Sequence, residues 1–249
     1  MNDFVFGFFY PLKCIKLFFK YPKLIVYSIV PVIINLIIYG TIFFYTYNWI
    51  LGKTEDIIRP GDLNSIFIEL IQSIVKIFSL LLVLAICYLS FVIFGGMISA
   101  PFNEKISRLI QEKLFEKNEE NNLPFFKDTL RSILEEMKKI VFYFSIMIPL
   151  ILIDFIPMIG SVITLVFGSA FSFFYNALNF LDYPMTRKLT GFRQKLKIVG
   201  SKKMLSFGFG AFAFLFTFLP VINVFFNPLL VAAGTRIFYE KGYCDILKE

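Results

Sequence analysis

Residues 140–181 read IVFYFSIMIPLILIDFIPMIGSVITLVFGSAFSFFYNALNFL. Asp154 alone interrupts this apolar run, and Pro157 and Gly160 follow it closely. At about 1.5 Å per helical residue, about 20 apolar residues cross the ~30 Å hydrocarbon core of a bilayer, so the run is long enough to enter and return. Helix-breakers at its centre point to a turn there. The alternative is a single crossing, which would place residues 182–203 outside the cell. That segment carries seven Lys/Arg and a single acid, Asp182, and basic loops stay cytoplasmic. The run therefore reads as a helical hairpin, made either of two full crossings or of two half-crossings with a buried turn.

The same logic applies to residues 204–235, which Pro220, Asn223, Asn227 and Pro228 break. The part before the break, 204–219, would span only about 24 Å as a helix, short for a crossing. Non-helical backbone at membrane depth must be covered by protein or line a wet cavity, which fits a half-crossing. Residues 24–51 and 77–103 contain no Asp, Glu, Lys or Arg and read as two complete transmembrane helices. With both later runs as hairpins, 22 of the 25 Lys/Arg fall on the cytoplasmic side with both termini. Residues 53–76 then form the one sizeable external loop, with three basic residues against four acids.

The polar segments are helical too. Over 4–20, Lys13, Lys16 and Lys20, with Lys23 beyond, share an arc of roughly 80°, while Phe8, Leu12, Ile15, Phe18 and Phe19 cover much of the rest. This predicts an interfacial helix that anchors on anionic lipid or offers a basic rim to an anion. In 104–139, Ile106, Leu109, Ile110 and Leu114, then Leu130, Ile133, Leu134 and Met137, repeat the helical spacing, so a small cytoplasmic helical hairpin is expected. Pro101 should kink or end the second membrane helix. The expectation is one all-α integral membrane domain over 1–249. It comprises two long transmembrane helices and two Pro-broken, hemi-penetrating hairpins (140–181 and 204–235) joined by the basic cytoplasmic segment 182–203.

Composition removes several function classes. The chain has no His, the commonest metal ligand and general base, and its three cysteines are scattered, so neither a metal site nor a cofactor site nor an enzyme is expected. The net charge of +7 belongs to a bilayer surface rather than to nucleic acid, since 57% of the residues are hydrophobic. The first 20 residues lack the cleavage site of a signal peptide. Gly208 and Gly210 form a Gly-x-Gly inside an apolar helix with no preceding strand, and close helix packing is the expectation there, as it is for Gly95, Gly96, Ser99 and Ala100. Asp154 is deep and functional if its hairpin goes halfway, and near the far surface if it spans. Asp154 and Pro157, with Asn223 and Asn227, are candidates for hairpin-turn or pore positions.

Several motifs recur in one order: Ser99-Ala100-Pro101-Phe102-Asn103, then Phe155-Ile156-Pro157-Met158-Ile159-Gly160, then Leu181-Asp182-Tyr183-Pro184-Met185 with Gly191-Phe192-Arg193. Ser206-Phe207-Gly208-Phe209-Gly210-Ala211 and Leu219-Pro220-Val221-Ile222-Asn223 with Asn227-Pro228 complete the set. In this the chain resembles the bacterial CysZ-type sulfate permeases of the etoposide-induced-protein-like superfamily, over nearly its whole length. The resemblance implies two long membrane helices with two hemi-penetrating hairpins, a homo-oligomer in the bacterial inner membrane, and sulfate uptake for cysteine synthesis. One departure matters. The family's Gly-hydrophobic-Arg motif before the first membrane helix, implicated in sulfate binding, is Pro22-Lys23-Leu24-Ile25-Val26 here. Arg offers an oxyanion a planar fork and Lys a point charge.

Two functions follow as expectations. The first is a permease for sulfate or a related oxyanion, with Lys20, Lys23 and Arg193 binding the substrate. The alternative is a non-transporting membrane protein of the same fold that organises lipid or a partner complex.

Overall fold

The computed structural model describes residues 2–57, 65–115, 125–188, 191–217 and 220–247. The described residues are helical almost throughout: α1 (Asp3–Lys20), α2 (Lys23–Ile57), α3 (Ser65–Phe115), α4 (Phe125–Asp154), α5 (Gly160–Arg187), α6 (Phe192–Ser201), α7 (Lys203–Thr217) and α8 (Pro220–Glu240), with a 3-10 turn at Asp245–Leu247. Lys23–Lys53, Glu69–Phe115 and Gly160–Arg187 are long and apolar enough to cross a membrane, and α6 and α7 meet at a bend of 102°. This is an all-α, multi-pass membrane protein.

The chain divides into two compact units, Pro31–Ser99 and the remainder. Within Pro31–Ser99, α2 and α3 touch through few polar contacts. Tyr39 donates to the Ser90 carbonyl at 3.1 Å and sets its ring edge-on to Phe91, and the buried Asn35, which also donates to the Pro31 carbonyl of its own helix at 2.8 Å, reaches the Ser99 hydroxyl at 3.5 Å. Leu36, Phe44, Phe78 and Leu89 are exposed on the outer faces, the pattern of a surface solvated by lipid. Tyr45 and Trp49, both exposed near the end of α2, suit the headgroup level where aromatic residues collect.

In the other unit α7 is wedged between α1 and α5, and glycine makes this possible. A Cβ on Gly208 would run into the Phe4 carbonyl of α1, and one on Gly210 into the Phe173 carbonyl of α5. Gly7 of α1 and Gly234 of α8 face backbone carbonyls in the same way. The Gly-x-Gly is thus a packing device, as expected from its place in an apolar helix. Around it Ala177, Leu178, Phe209, Ala213, Leu230, Ala233 and Phe238 are fully buried.

The first hairpin turns where Pro157 and Gly160 predict. Residues 155–159 link α4 to α5, and the turn closes its own backbone: Ile156 N–H donates to the Ile153 carbonyl at 2.9 Å and Gly160 N–H to the Ile156 carbonyl at 3.0 Å. Met158 takes a left-handed φ of 67°, and a Cβ at Gly160 would collide with the Ile153 carbonyl. Phe155, Ile156, Met158 and Ile159 are all exposed at the tip.

Three expectations are revised. Pro101 does not end a helix: α3 runs through it to Phe115, and Pro11, Pro31, Pro149, Pro184 and Pro228 also lie inside helices. A single lost N–H is tolerated where neighbouring groups re-satisfy the carbonyl. The cytoplasmic pair expected over 104–139 consists of the ends of the longer helices α3 and α4. The break expected at Pro220, Asn223, Asn227 and Pro228 is not at these residues: α8 runs helical through all four and Pro220 opens it, where Pro has no N–H to leave unpaired and its fixed φ suits the helix. Residues 218–219, and Asn64 in the expected external loop, lie outside the described residues.

Candidate functional site

Lys20 closes α1 and Lys23 opens α2, with Tyr21 and Pro22 between them; both lysines are exposed. The Lys20 ammonium lies 5.3 Å from the Tyr21 ring centre. Arg193 stands exposed in the first turn of α6. No hydrogen bond or ion pair joins the three among the described residues. The start of α2 does not offer the free N–H groups that a helix end usually has: those of Leu24 and Ile25 donate to the Tyr21 and Pro22 carbonyls, both at 3.0 Å. Asp154 is the last residue of α4 and is exposed, as is Pro157 in the turn. Asn223 and Asn227 sit one turn apart on α8, and the buried side-chain oxygen of each has no hydrogen-bond partner among the described residues.

The most heavily built polar region lies elsewhere, and its members come from five helices. Arg187 of α5 donates to Glu104 at 2.7 Å, to Gln111 at 2.9 Å and to Ser107 at 2.9 Å, all on α3. Ser107 is bonded in turn to Thr235 of α8 at 2.6 Å. Lys195 of α6, fully buried, reaches Glu135 of α4 and both Asp182 and Thr186 of α5, each at 2.6 Å. Lys139 of α4 pairs with Glu136 at 2.7 Å, bonds Asn179 at 2.7 Å and stands 3.6 Å from Asp182. Its ammonium also lies 5.0 Å from the Tyr183 ring centre, and the Tyr183 hydroxyl accepts from Asn103 at 3.1 Å.

Burying a charge costs several kcal/mol unless a partner and hydrogen bonds replace water, and here each buried cation has both. Burial works against the charged form of Lys139, yet Glu136, Tyr183 and Asp182 hold its pKa above the ordinary lysine value. Burial likewise pushes Glu135 up, but the bonds from Lys138 and Lys195 prevail and its carboxyl lies below the ordinary value. The network ties the end of the first hairpin remote from its turn to α3, α6 and α8. Among the described residues no cluster of His, Cys, Asp or Glu could hold a metal ion.

The sequence reading expected an amphipathic helical hairpin over 104–139 and missed this network. The signal was present in the spacing: Glu104, Ser107 and Gln111 recur at i, i+3 and i+7, and Glu135, Glu136 and Lys139 at i, i+1 and i+4. The α3 set lies beside the fully buried Ile106 and Ile110.

Comparison with known proteins bears on what this architecture serves. The chain is 28% identical over 226 residues to a sulfate transporter CysZ of Vibrio atlanticus, covering 88% of this chain and 87% of that protein. It is 26% identical over 219 residues to that of Pectobacterium atrosepticum (86% and 78%) and 25% identical over 218 residues to that of Salmonella typhimurium (86% and 84%). A family model described as Sulfate transporter CysZ/Etoposide-induced protein 2.4 matches residues 10–228, most of the chain. With the motif order and the turn between α4 and α5 already described, the match places this chain in the Sulfate transporter CysZ/Etoposide-induced protein 2.4 family.

Proposed function

We propose that the chain is a permease for sulfate or a closely related oxyanion, working as a homo-oligomer in the bacterial inner membrane with both termini cytoplasmic and supplying sulfate for cysteine synthesis. The observation that carries this reading is the alignment of relatives named sulfate transporter CysZ along most of a multi-pass helical chain.

The charge distribution supports a place for the anion. Lys139, Arg187 and Lys195 are already matched by Glu104, Glu135, Glu136 and Asp182. A sulfate ion entering there would have to displace a carboxylate from each of them. Lys20, Lys23 and Arg193 are exposed, and no carboxylate among the described residues pairs with them. Sulfate leaves water only for several donors and partial neutralisation of its charge, which these three cations supply at the cytoplasmic entrance.

The test is sulfate flux into liposomes carrying the parent, Lys23→Ala or Lys23→Arg protein, each checked for folding. Alanine should lower the flux and arginine should keep or raise it. Equal flux from all three assigns Lys23 to lipid anchoring. No flux from a folded parent, together with failure to support growth of a sulfate-uptake-deficient strain, selects the non-transporting membrane protein.

A further inference from the structure

Phe6 of α1 has two ammonium groups on its ring: Lys13 at 4.8 Å and Lys241 at 4.0 Å from the centre. Lys13 is two turns along α1, whereas Lys241 comes from the far end of the chain, so tertiary structure brings the two cations together. Lys241 is held in place from several sides. Its N–H donates to the Ile237 carbonyl at 2.9 Å, and its carbonyl accepts from Lys202. The next residue, Gly242, takes a left-handed φ of 65° and turns the chain back. There the fully buried Tyr243 bonds Ser206 at 2.7 Å. Lys202 itself lies 5.4 Å from the Tyr243 ring centre, which adds a third cation to the group. Neither Lys13 nor Lys241 pairs with a carboxylate among the described residues, and both are exposed.

Each cation–π contact is weakly attractive, and two ammoniums near one ring repel each other. An anion bridging them turns that repulsion into attraction. The chemistry of the surroundings selects which anion. Val5, Phe9, Leu12 and Phe19 are exposed on the adjoining face of α1, an apolar stripe that a helix presents to acyl chains while its lysines face headgroups. We propose that Lys13 and Lys241, seated on Phe6, form a binding site for the phosphate of an anionic phospholipid headgroup, with the acyl chains along the Val5, Phe9 and Leu12 face. The site is separate from Lys20, Lys23 and Arg193, and it stands whether or not the chain carries sulfate.

The test uses the full chain in nanodiscs of phosphatidylcholine alone or with phosphatidylglycerol, reading the thermal unfolding midpoint, with native mass spectrometry of retained lipid. Phosphatidylglycerol should raise the midpoint of the parent. The Lys13→Gln, Lys241→Gln double variant should lose at least half of that rise and retain less lipid, while Lys16→Gln on the same helix keeps it. The Lys13→Arg, Lys241→Arg variant should respond as the parent does, and midpoints in pure phosphatidylcholine show that every variant folds. An undiminished response in the glutamine double variant overturns the proposal. So does an equal rise produced by inorganic phosphate in phosphatidylcholine discs, which would mark a general anion site instead.

Discussion

Lys195 and Asp182 approach to 2.6 Å with both side chains buried, although one belongs to the amphipathic lead-in of the second hairpin and the other to the returning arm of the first. The pair is part of a closed set with Glu135, Thr186 and Lys139. Removing one member of a buried ion pair strands the other, at a cost of about 3–5 kcal/mol, whereas replacing both with apolar groups of similar size is often neutral. Lys195→Met should therefore lower the thermal midpoint sharply. Adding Asp182→Leu should recover part of the loss. A double-mutant cycle on unfolding in detergent measures the coupling, and strictly additive effects would mean that the pair contributes no mutual stabilisation.

Glu135 supplies a pH dependence with a definite sign. Its folded pKa lies below the ordinary 4.5, because the bonds from Lys138 and Lys195 outweigh the effect of burial. Its stabilisation is thus fully present above that ordinary value and is lost as the pH falls through the depressed folded value. The unfolding midpoint should fall as the pH drops below about 4.5, and Glu135→Gln should be less stable near neutrality but flatter across the acid range. Parallel acid slopes for parent and variant would place the sensitivity at other carboxylates.

Glycine substitutions should divide by what the new methyl group meets. Gly208→Ala and Gly210→Ala push into backbone carbonyls of α1 and α5, which cannot swing aside, so each should cost at least the ~1–3 kcal/mol typical of overpacking. At Gly168 of α5 the methyl group meets nothing within 4 Å, and Gly168→Ala should be neutral or stabilise by about 0.5–1 kcal/mol. Thermal midpoints of the three variants decide the matter. Equal effects at all three positions would mean that the α1–α7–α5 wedge is loose.

Orientation can be read with single cysteines. Gly52 and Gly191 have open space where a side chain would go, so Gly52→Cys and Gly191→Cys should fold. An impermeant thiol reagent added to intact cells should label the first and miss the second. Cys87, which is half-buried, is replaced by Ser in both variants; background from Cys14 and Cys244 should be low, since both are buried and burial pushes the Cys14 thiol up to about 11, leaving little reactive thiolate. Labelling of Gly191→Cys from outside would refute the cytoplasmic placement of the basic segment.

What the sequence disclosed and what it withheld follow from the range of the interactions. Long apolar runs, and Pro157 with Gly160 between two of them, are local signals, and they located α2, α3 and the first turn. The effect of Pro101 depends on whether neighbours satisfy one carbonyl, which no local pattern encodes, and α3 continues through it. For the network of Glu104, Glu135, Asp182, Arg187 and Lys195 the spacing within α3 and α4 marked shared faces, but no local pattern showed which charges meet. Its partners are up to 128 residues apart, and each charged member looks on its own like an ordinary surface charge. The candidates Lys20, Lys23 and Arg193 came from the basic segments and from the place of Lys23 in the motif stretch of the resembled family, whereas the meeting of Lys13 with Lys241 required the folded chain.

The self-bonded turn at 155–159 also bears on how the chain enters a membrane during synthesis. The apolar part of α4, from Ile140 to Asp154, is only about 22 Å long and ends in a carboxylate, so by itself it is a poor insertion signal. At its exposed tip the N–H groups of Phe155, Ile156 and Ile159 donate within the turn itself, which lowers the backbone's need for water. The two arms can therefore be delivered together as a preassembled wedge, once α5 has left the ribosome, rather than threaded one after the other. Biogenesis of this half of the molecule is then an event of paired helices, and a stop codon placed between Asp154 and Gly160 should leave α4 outside the bilayer.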